Sequence, residues 1–249
     1  MSRVRYCVIG MAVPTFVITC TKKRLIAPGV YELVFAKPEA FIFKAGQFVL
    51  FDVPLVSNPV DIQPRAYSIA STPDESDLLF VVKLTPGGRT STWIEQSLAA
   101  GTQVVMKGPF GVFTLEHKKT DKNYLFLCTG AGIAPFRAHI RAALSAGDRR
   151  KMDLVFGARE HKDLFWVEEF TALMREFPNF TFHTSLTSGE PDWDGHRGRV
   201  QVIAPKIITD SSAVSVFICG APEMVKDVKK YCIEDWGIAK ADVHAEEYV

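Results

Sequence analysis

The sequence predicts two domains in series, an antiparallel β-barrel followed by a doubly wound α/β domain built on a parallel sheet. Three observations carry this expectation. From residue 15 to residue 107 the apolar residues fall in short runs rich in β-branched and aromatic side chains, punctuated by Pro28-Gly29, Pro73-Asp74 and Pro86-Gly87. After the charged stretch Glu116 to Lys122 the rhythm changes to continuous apolar runs alternating with helix-period segments. The first of those runs leads into a glycine-rich turn that opens a helix, as a βα unit requires. The expected domains are 12–116 and 122–249, with 116–122 as the linker.

Within the first domain the expected strands are Thr15 to Thr21, Val30 to Phe35, Phe48 to Val53, Arg65 to Ala70, Leu78 to Leu84 and Gln103 to Lys107. One helix is expected there, Ser91 to Ala99, with Trp93, Ile94 and Leu98 at helical spacing and Gly101 as its stop. In the second domain Tyr124 to Cys128, Met152 to Phe156, Phe180 to Leu186 and Val214 to Cys219 read as buried strands. Helices are expected over Ala134 to Ala146, Trp166 to Glu176 and Ala221 to Glu234, followed by a short terminal segment.

A chain of 249 residues has room for two modest domains. Its 47% hydrophobic and 23% charged residues are those of an ordinary globular protein. A formal charge of +1 gives no reason to expect nucleic acid or an anionic membrane. The five cysteines, Cys7, Cys20, Cys128, Cys219 and Cys232, form no C-x2-C pair, which argues against zinc or a cysteine-held iron–sulfur cluster. No metal is expected, and a reducing cytoplasm is the default compartment. Ser2 to Arg5 is basic and Tyr6 to Val13 apolar, but that run is short and secretion is not expected; Met11 as the natural start is the bland alternative. No run approaches the roughly 18 apolar residues of a membrane span.

Three segments carry chemistry. Thr129-Gly130-Ala131-Gly132-Ile133-Ala134-Pro135 follows a buried strand and opens a helix, where unsatisfied N–H groups and the positive helix end can hold a pyrophosphate. It is G-x-G-x-x-P and lacks a third glycine, so a tight strand–helix turn without a ligand is the alternative. Arg65-Ala66-Tyr67-Ser68 offers a guanidinium, an aromatic face and a hydroxyl on one strand; an ordinary exposed strand would read the same way. Gly87-Gly88-Arg89-Thr90-Ser91-Thr92 ends at a helix start and is a second phosphate cradle, or simply a Ser/Thr N-cap after a glycine turn.

Taken together and in order, these segments resemble the ferredoxin–NADP reductase superfamily from about Phe16 onward. Arg65-Ala66-Tyr67-Ser68 is similar to that family's RxYS flavin motif, Gly88-x-x-Ser91 to its flavin-pyrophosphate motif, and Thr129 to Pro135, with Phe136-Arg137, to its TGxGIAP loop. Phe217-Ile218-Cys219-Gly220-Ala221-Pro222 with Met224 resembles the late CGxPxM motif, and His244 to Tyr248 the acidic-plus-aromatic tail. Gly46-Gln47-Phe48 and Gly108-Pro109-Phe110-Gly111 also occur where family members carry them.

The resemblance implies a flavin-binding barrel joined to a nicotinamide-binding α/β domain, and a hydride transfer from NAD(P)H to FAD, with FMN the lesser candidate. It implies that Ser68, Cys219 and Glu246 serve the reacting atoms. Arg65 would hold flavin phosphates, Tyr67 would lie along the ring and Ser68 would sit near N5. Ala66, Val82, Lys83, Gly88, Ser91 and Thr92 would complete the flavin site. Thr129, Gly130, Gly132, Ile133, Pro135, Arg159, Cys219, Gly220 and Met224 would serve the nicotinamide nucleotide, with Tyr248 over the ring. Val249 beyond that aromatic is a departure, and a frayed terminus is the alternative reading of the tail.

Where NADP-specific relatives carry a Ser-Arg pair, this chain has Thr187-Ser188, so NADH is slightly preferred; Arg197 or Arg199 folding back would reverse that. Electrons would pass to a separate acceptor such as a ferredoxin, a flavodoxin or an oxygenase component, from a monomer. A free-flavin or ferric reductase, or a non-catalytic flavin-binding protein, are the alternatives.

Overall fold

In Phe48–Leu55 and in Gln103–Phe110 buried residues alternate with partly exposed ones, the two-residue period of a half-buried strand. The computed structural model describes residues 13–115 and 121–248. The proposed boundaries at residues 12, 116 and 249, the extension 1–10 and most of the proposed linker lie outside the described residues. The first six strands are β1 (Thr15–Ala27), β2 (Val30–Ala36), β3 (Phe48–Leu55), β4 (Asn58–Ser68), β5 (Asp77–Lys83) and β6 (Gln103–Phe110). They form one antiparallel sheet in the order β4-β3-β6-β1-β2-β5.

Inside this sheet the rings of Phe35, Phe51 and Phe80 meet at centroid separations of 5.3, 5.9 and 4.9 Å. The helix α1 (Arg89–Gln96) adds Trp93 and Ile94 to the same core. It starts two residues earlier than the apolar spacing indicates. Strand β4 differs more, beginning at Asn58 instead of Arg65. The part ahead of Arg65 carries Pro59 and Pro64, and β4 is an edge strand of the sheet, where proline is tolerated.

The second half contains β7 (Asn123–Thr129), α2 (Ala134–Ser145), β8 (Met152–Ala158), α3 (Val167–Glu176), β9 (Phe180–Leu186), β10 (His196–Arg197), α4 (Val200–Ile207), β11 (Val214–Gly220), α5 (Pro222–Lys230) and β12 (Val243–Glu247). The sheet is parallel throughout, in the order β10-β9-β8-β7-β11-β12. Both of its faces are covered. Phe126, Phe136, Phe156 and Phe217 fill one side, and Leu127, Val155, Ile203, Val216 and Val228 fill the other.

Three elements depart from the sequence expectation. Val200–Ile207, where no element is expected from the sequence, is a helix, and Val200, Ile203 and Ala204 bury its one apolar stripe. Helix α5 ends at Lys230, and Tyr231–Asp235 continues as a wider π turn that keeps Cys232 buried. The terminal segment is a true strand: Val243–Glu247 pairs with β11, Cys219 opposite Glu246 and Gly220 opposite Glu247. It is not frayed.

Strand order reverses between β7 and β11, so the turns after these two strands diverge and leave a crevice at their carboxyl ends. Gly130 follows one and Gly220 ends the other. Gly130 has φ +53°. At Gly132 a Cβ would lie 2.3 Å from the Cys219 carbonyl oxygen, so only glycine lets this turn press against the end of β11.

Candidate functional site

A cleft of about 1140 Å³ runs between the two sheets. The barrel side supplies Arg65 to Ser68 from the end of β4, Val82 and Lys83 from the end of β5, and the loop into α1 with Gly88 and Ser91. The α/β side supplies Thr129, Gly130, Gly132, Arg159, Gly220 and Met224, and the tail adds Glu246 and Tyr248. These are sixteen of the residues the sequence singles out, drawn from separate segments of both halves.

Four others do not line the cleft. The Thr92 hydroxyl donates to the Gly88 carbonyl at 3.1 Å, a bond inside the first turn of α1. Ile133 is fully buried in the core, and Pro135 is buried at the start of α2, where its fixed φ suits the first helical turn. Cys219 has no exposed surface and lies in β11 beside the tail strand. Arg89 and Thr90, given no individual role within the Gly87 to Thr92 segment, also face the cleft. Arg89 is braced by Asp61, with Nη2 3.0 Å from its carboxylate and Nη1 donating to its carbonyl at 2.6 Å.

At the middle of the cleft the Ser68 hydroxyl donates to Glu246 Oε1 at 2.8 Å. One residue comes from the barrel and the other from the last strand of the α/β sheet. Burial pushes the Glu246 carboxyl above its ordinary range, and the Ser68 hydrogen bond offsets part of that. Burial, and then the neighbouring Glu246 carboxylate, holds the Cys219 thiol well above its usual range, so it stands as a neutral S–H. The backbone N–H of Tyr248 donates to the Gly220 carbonyl at 3.0 Å, fixing the ring over the cleft. Its hydroxyl is buried beside Ser68, Cys219 and Glu246, and burial above all raises it well above the usual range. Burial raises the Tyr67 hydroxyl as well, with Thr90 beside it.

The comparisons with known proteins agree on both halves. Residues 18–115 match the family model described as the oxidoreductase FAD-binding domain, and residues 126–230 match the oxidoreductase NAD-binding domain. Ferredoxin–NADP reductase B of Sorangium cellulosum is 35% identical over 234 residues, covering 90% of this chain and 94% of that protein. The chain belongs to the ferredoxin–NADP reductase superfamily. It is an FAD-dependent NAD(P)H oxidoreductase. A component of the Na⁺-translocating NADH-quinone reductase of Neisseria meningitidis is 34% identical over 201 residues, covering 74% of this chain and 49% of that longer protein. Among solved structures, the Amycolatopsis cytochrome P450 reductase GcoB is 28% identical with a TM-score of 0.83, covering 95% of this chain and 71% of that one. A Neisseria gonorrhoeae ferredoxin NADP⁺ reductase, at 22% identity and a TM-score of 0.82 over 94% of this chain and 98% of that one, shares the fold.

The reductase locks its two halves together with buried polar contacts. Arg137, at the start of α2, donates to both carboxylate oxygens of Glu75 at 3.0 Å and to the Ala70 carbonyl at 2.8 Å, and its Nε lies 2.9 Å from Glu169. Trp166 Nε1 donates to Glu32 of β2 at 2.9 Å. His139 of α2 bonds the Phe113 carbonyl at 2.8 Å through Nε2, and burial lowers its pKa to about 4. No helix among the described residues is long and apolar enough to cross a membrane.

Thr187 lines the cleft, and cationic side chains line it too. Arg159 and Arg199 both line it, on either side of Thr187 in sequence. Arg197 turns away, its guanidinium donating to the Pro191 and Trp193 carbonyls.

Proposed function

We propose that this reductase takes electrons from NADPH through FAD and hands them to a separate protein acceptor of the ferredoxin, flavodoxin or oxygenase-component kind. One observation supports this most strongly: two glycine turns, one from each half and each leading into a helix, line the same cleft as the Ser68–Glu246 contact. The turn into α1, with Gly88, and the turn into α2, with Gly130 and Gly132, each offer glycine backbone that would meet a phosphate group ahead of a positive helix end. A cleft with two such ends fits two dinucleotides. The choice of glycine at Gly132 fits a close backbone approach, and the Tyr248 ring fits a surface that covers a flat cofactor until substrate displaces it.

When bound, the flavin accepts a hydride from the nicotinamide and can release electrons singly, the chemistry that links a two-electron donor to one-electron acceptors. The protein's part is alignment, exclusion of water and electrostatics. Arg65 would hold flavin phosphate; in the free cleft its guanidinium rests on the Pro64 carbonyl and Gln63. Ser68 would direct its hydroxyl to the flavin edge, with Glu246 fixing its rotamer. Cys219, neutral and unhydrated, would supply a small wall behind the nicotinamide. Lys83, Gly88 and Ser91 would border the flavin, the Ser91 hydroxyl already accepting from the Thr85 N–H at 2.8 Å to shape that loop.

The Thr187-Ser188 pair alone favours NADH; we propose NADPH instead because a doubly charged 2′-phosphate needs cationic donors, and Arg199 and Arg159 both line the cleft. Four described cysteines, all buried and free, are compatible with the cytoplasm as compartment. We take the reductase to act as a monomer.

The test is an anaerobic titration of the purified protein with NADPH and with NADH, followed by mixing of the reduced protein with a ferredoxin, a flavodoxin and free FMN. Tightly bound FAD, bleaching at lower NADPH than NADH, and reoxidation by a protein acceptor support the proposal. A colourless protein that reduces added FMN would replace it with a free-flavin reductase.

A further inference from the structure

Beyond the cleft, the edge of the parallel sheet carries a chain of three polar side chains that the proposed reaction does not use. Asp153 of β8 is 6% exposed. Its Oδ1 lies 3.0 Å from His183 Nε2 on β9, and His183 Nδ1 lies 3.3 Å from His196 Nε2 on β10. With both rings neutral the bonds run one way: His196 Nε2–H donates to His183 Nδ1, and His183 Nε2–H donates to Asp153. Lys151, just ahead of β8, holds the other carboxylate oxygen at 3.0 Å.

The chain ties down a very short strand. Strand β10 is two residues long and pairs with β9 only at His196 and Arg197. The next residue, Gly198, donates its N–H to Leu186 and receives the Ser185 hydroxyl at 2.5 Å on its carbonyl. Gly198 has φ +120°, and Arg199 follows it at the mouth of the cleft. A two-residue strand is weak by itself, so its side-chain tie sets where the segment sits.

We propose that Asp153, His183 and His196 form a strut that positions Arg199 for the adenosine 2′-phosphate and thereby sets the preference for NADPH over NADH. This rests on the assignment of Arg199 made above. His196 and His183 are positioning residues; neither lines the cleft.

The strut has a built-in acid limit. With one added proton on the pair, one ring nitrogen still offers a lone pair to the other's N–H and the hydrogen bond is kept. A second proton places N–H against N–H and breaks the tie between β9 and β10. Burial, then His183, then Lys206 of α4 lower the pKa of His196, so the second proton arrives on the acid side of the ordinary histidine range. The charged groups facing the pair are Asp153 from β8, Lys151 just ahead of that strand, and Lys206 from α4.

The test compares His196→Ala, His196→Gln and Arg199→Ala in the FAD-loaded protein, reading KM and kcat with NADPH and NADH at about pH 7.5 and about pH 5.5. His196→Ala removes the tie; at the higher pH its KM for NADPH is expected to rise about fivefold, with kcat and the NADH constants moving far less. His196→Gln keeps an amide donor for His183 but cannot be protonated. Its KM for NADPH should match wild type at the higher pH and rise less than wild type on acidification. The 2′-phosphate's own titration, near pH 6, is common to all variants and cancels in that comparison. Equal pH slopes in wild type and His196→Gln, or an unchanged NADPH preference in His196→Ala, would overturn the strut. If Arg199→Ala raises KM for NADPH while the His196 variants do not, the strut alone fails. If Arg199→Ala leaves NADPH and NADH undistinguished from wild type, the phosphate assignment fails and takes the strut with it.

Discussion

Ser68 and Glu246 are 178 positions apart in the chain, yet the hydroxyl of one donates to the carboxylate of the other at 2.8 Å across the cleft. The contact exists only because β12 adds to the parallel sheet beside β11 and carries Glu246 to the end of β4. It makes the geometry of the cleft a joint property of both halves.

Replacing Ser68 by Ala is expected to leave FAD bound and to slow flavin reduction by NADPH about tenfold or more, the scale of one lost hydrogen bond at a reacting edge. Stopped-flow absorbance reads it directly. An unchanged reduction rate would remove Ser68 from the proposed chemistry.

The Arg137 guanidinium is 9% exposed and answers two carboxylates from different halves, Glu75 and Glu169. Arg137→Ala would leave Arg141, 3.0 Å from Glu169 and 3.6 Å from Glu75, as the remaining counter-charge of those two carboxylates. Because both are about a quarter exposed, water recovers part of the loss, and a destabilisation of about 2–3 kcal/mol is expected, read by chemical denaturation. Flavin reduction should slow as well, through the altered angle between the halves.

His139 gives a pH dependence whose sign follows from burial. Its folded pKa of about 4 lies below the ordinary 6.5, so the unfolded chain takes up a proton that the folded chain refuses. The stability associated with it is complete above pH 6.5 and declines as pH falls toward 4. Between about pH 7 and pH 5 this amounts to about 2 kcal/mol. His139→Gln keeps a donor for the Phe113 carbonyl and should flatten that part of the stability–pH profile; an equally steep profile would show that other groups dominate it.

Gly132→Ala tests the glycine turn. Its Cβ would meet the Cys219 carbonyl oxygen at 2.3 Å and the Gly220 nitrogen at 2.8 Å, both backbone atoms that cannot swing aside. The nicotinamide-nucleotide affinity is expected to fall at least about tenfold while the barrel keeps its FAD. Nucleotide binding measured by fluorescence quenching at wild-type strength would contradict this.

The parts of the fold legible in the sequence are those written locally. The strand-to-helix turn at Thr129 to Pro135 and the Arg65 to Ser68 strand carry their turn chemistry and their periodicity within a few residues, and both reach the cleft wall. Helix α4 was not legible because Val200, Val202 and Ile203 favour strands in isolation, and only burial against β8 and β7 overrides that preference. The tail reads as a loose end until β11 is there to pair with it. The direction of Arg199, the brace of Arg89 on Asp61 and the Arg137 clamp depend on partners 28 to 67 residues away or on a packed turn, which no local pattern encodes.

Single-turnover reduction of the FAD-loaded protein by NADPH carrying deuterium at the transferred position, in wild type and Ser68→Ala, bears most directly on the cleft as the place where hydride moves. A primary isotope effect of about twofold or more on flavin bleaching, with a slower step in the variant, is the predicted result. Bleaching that is absent, or that shows neither an isotope effect nor any dependence on Ser68, would contradict it.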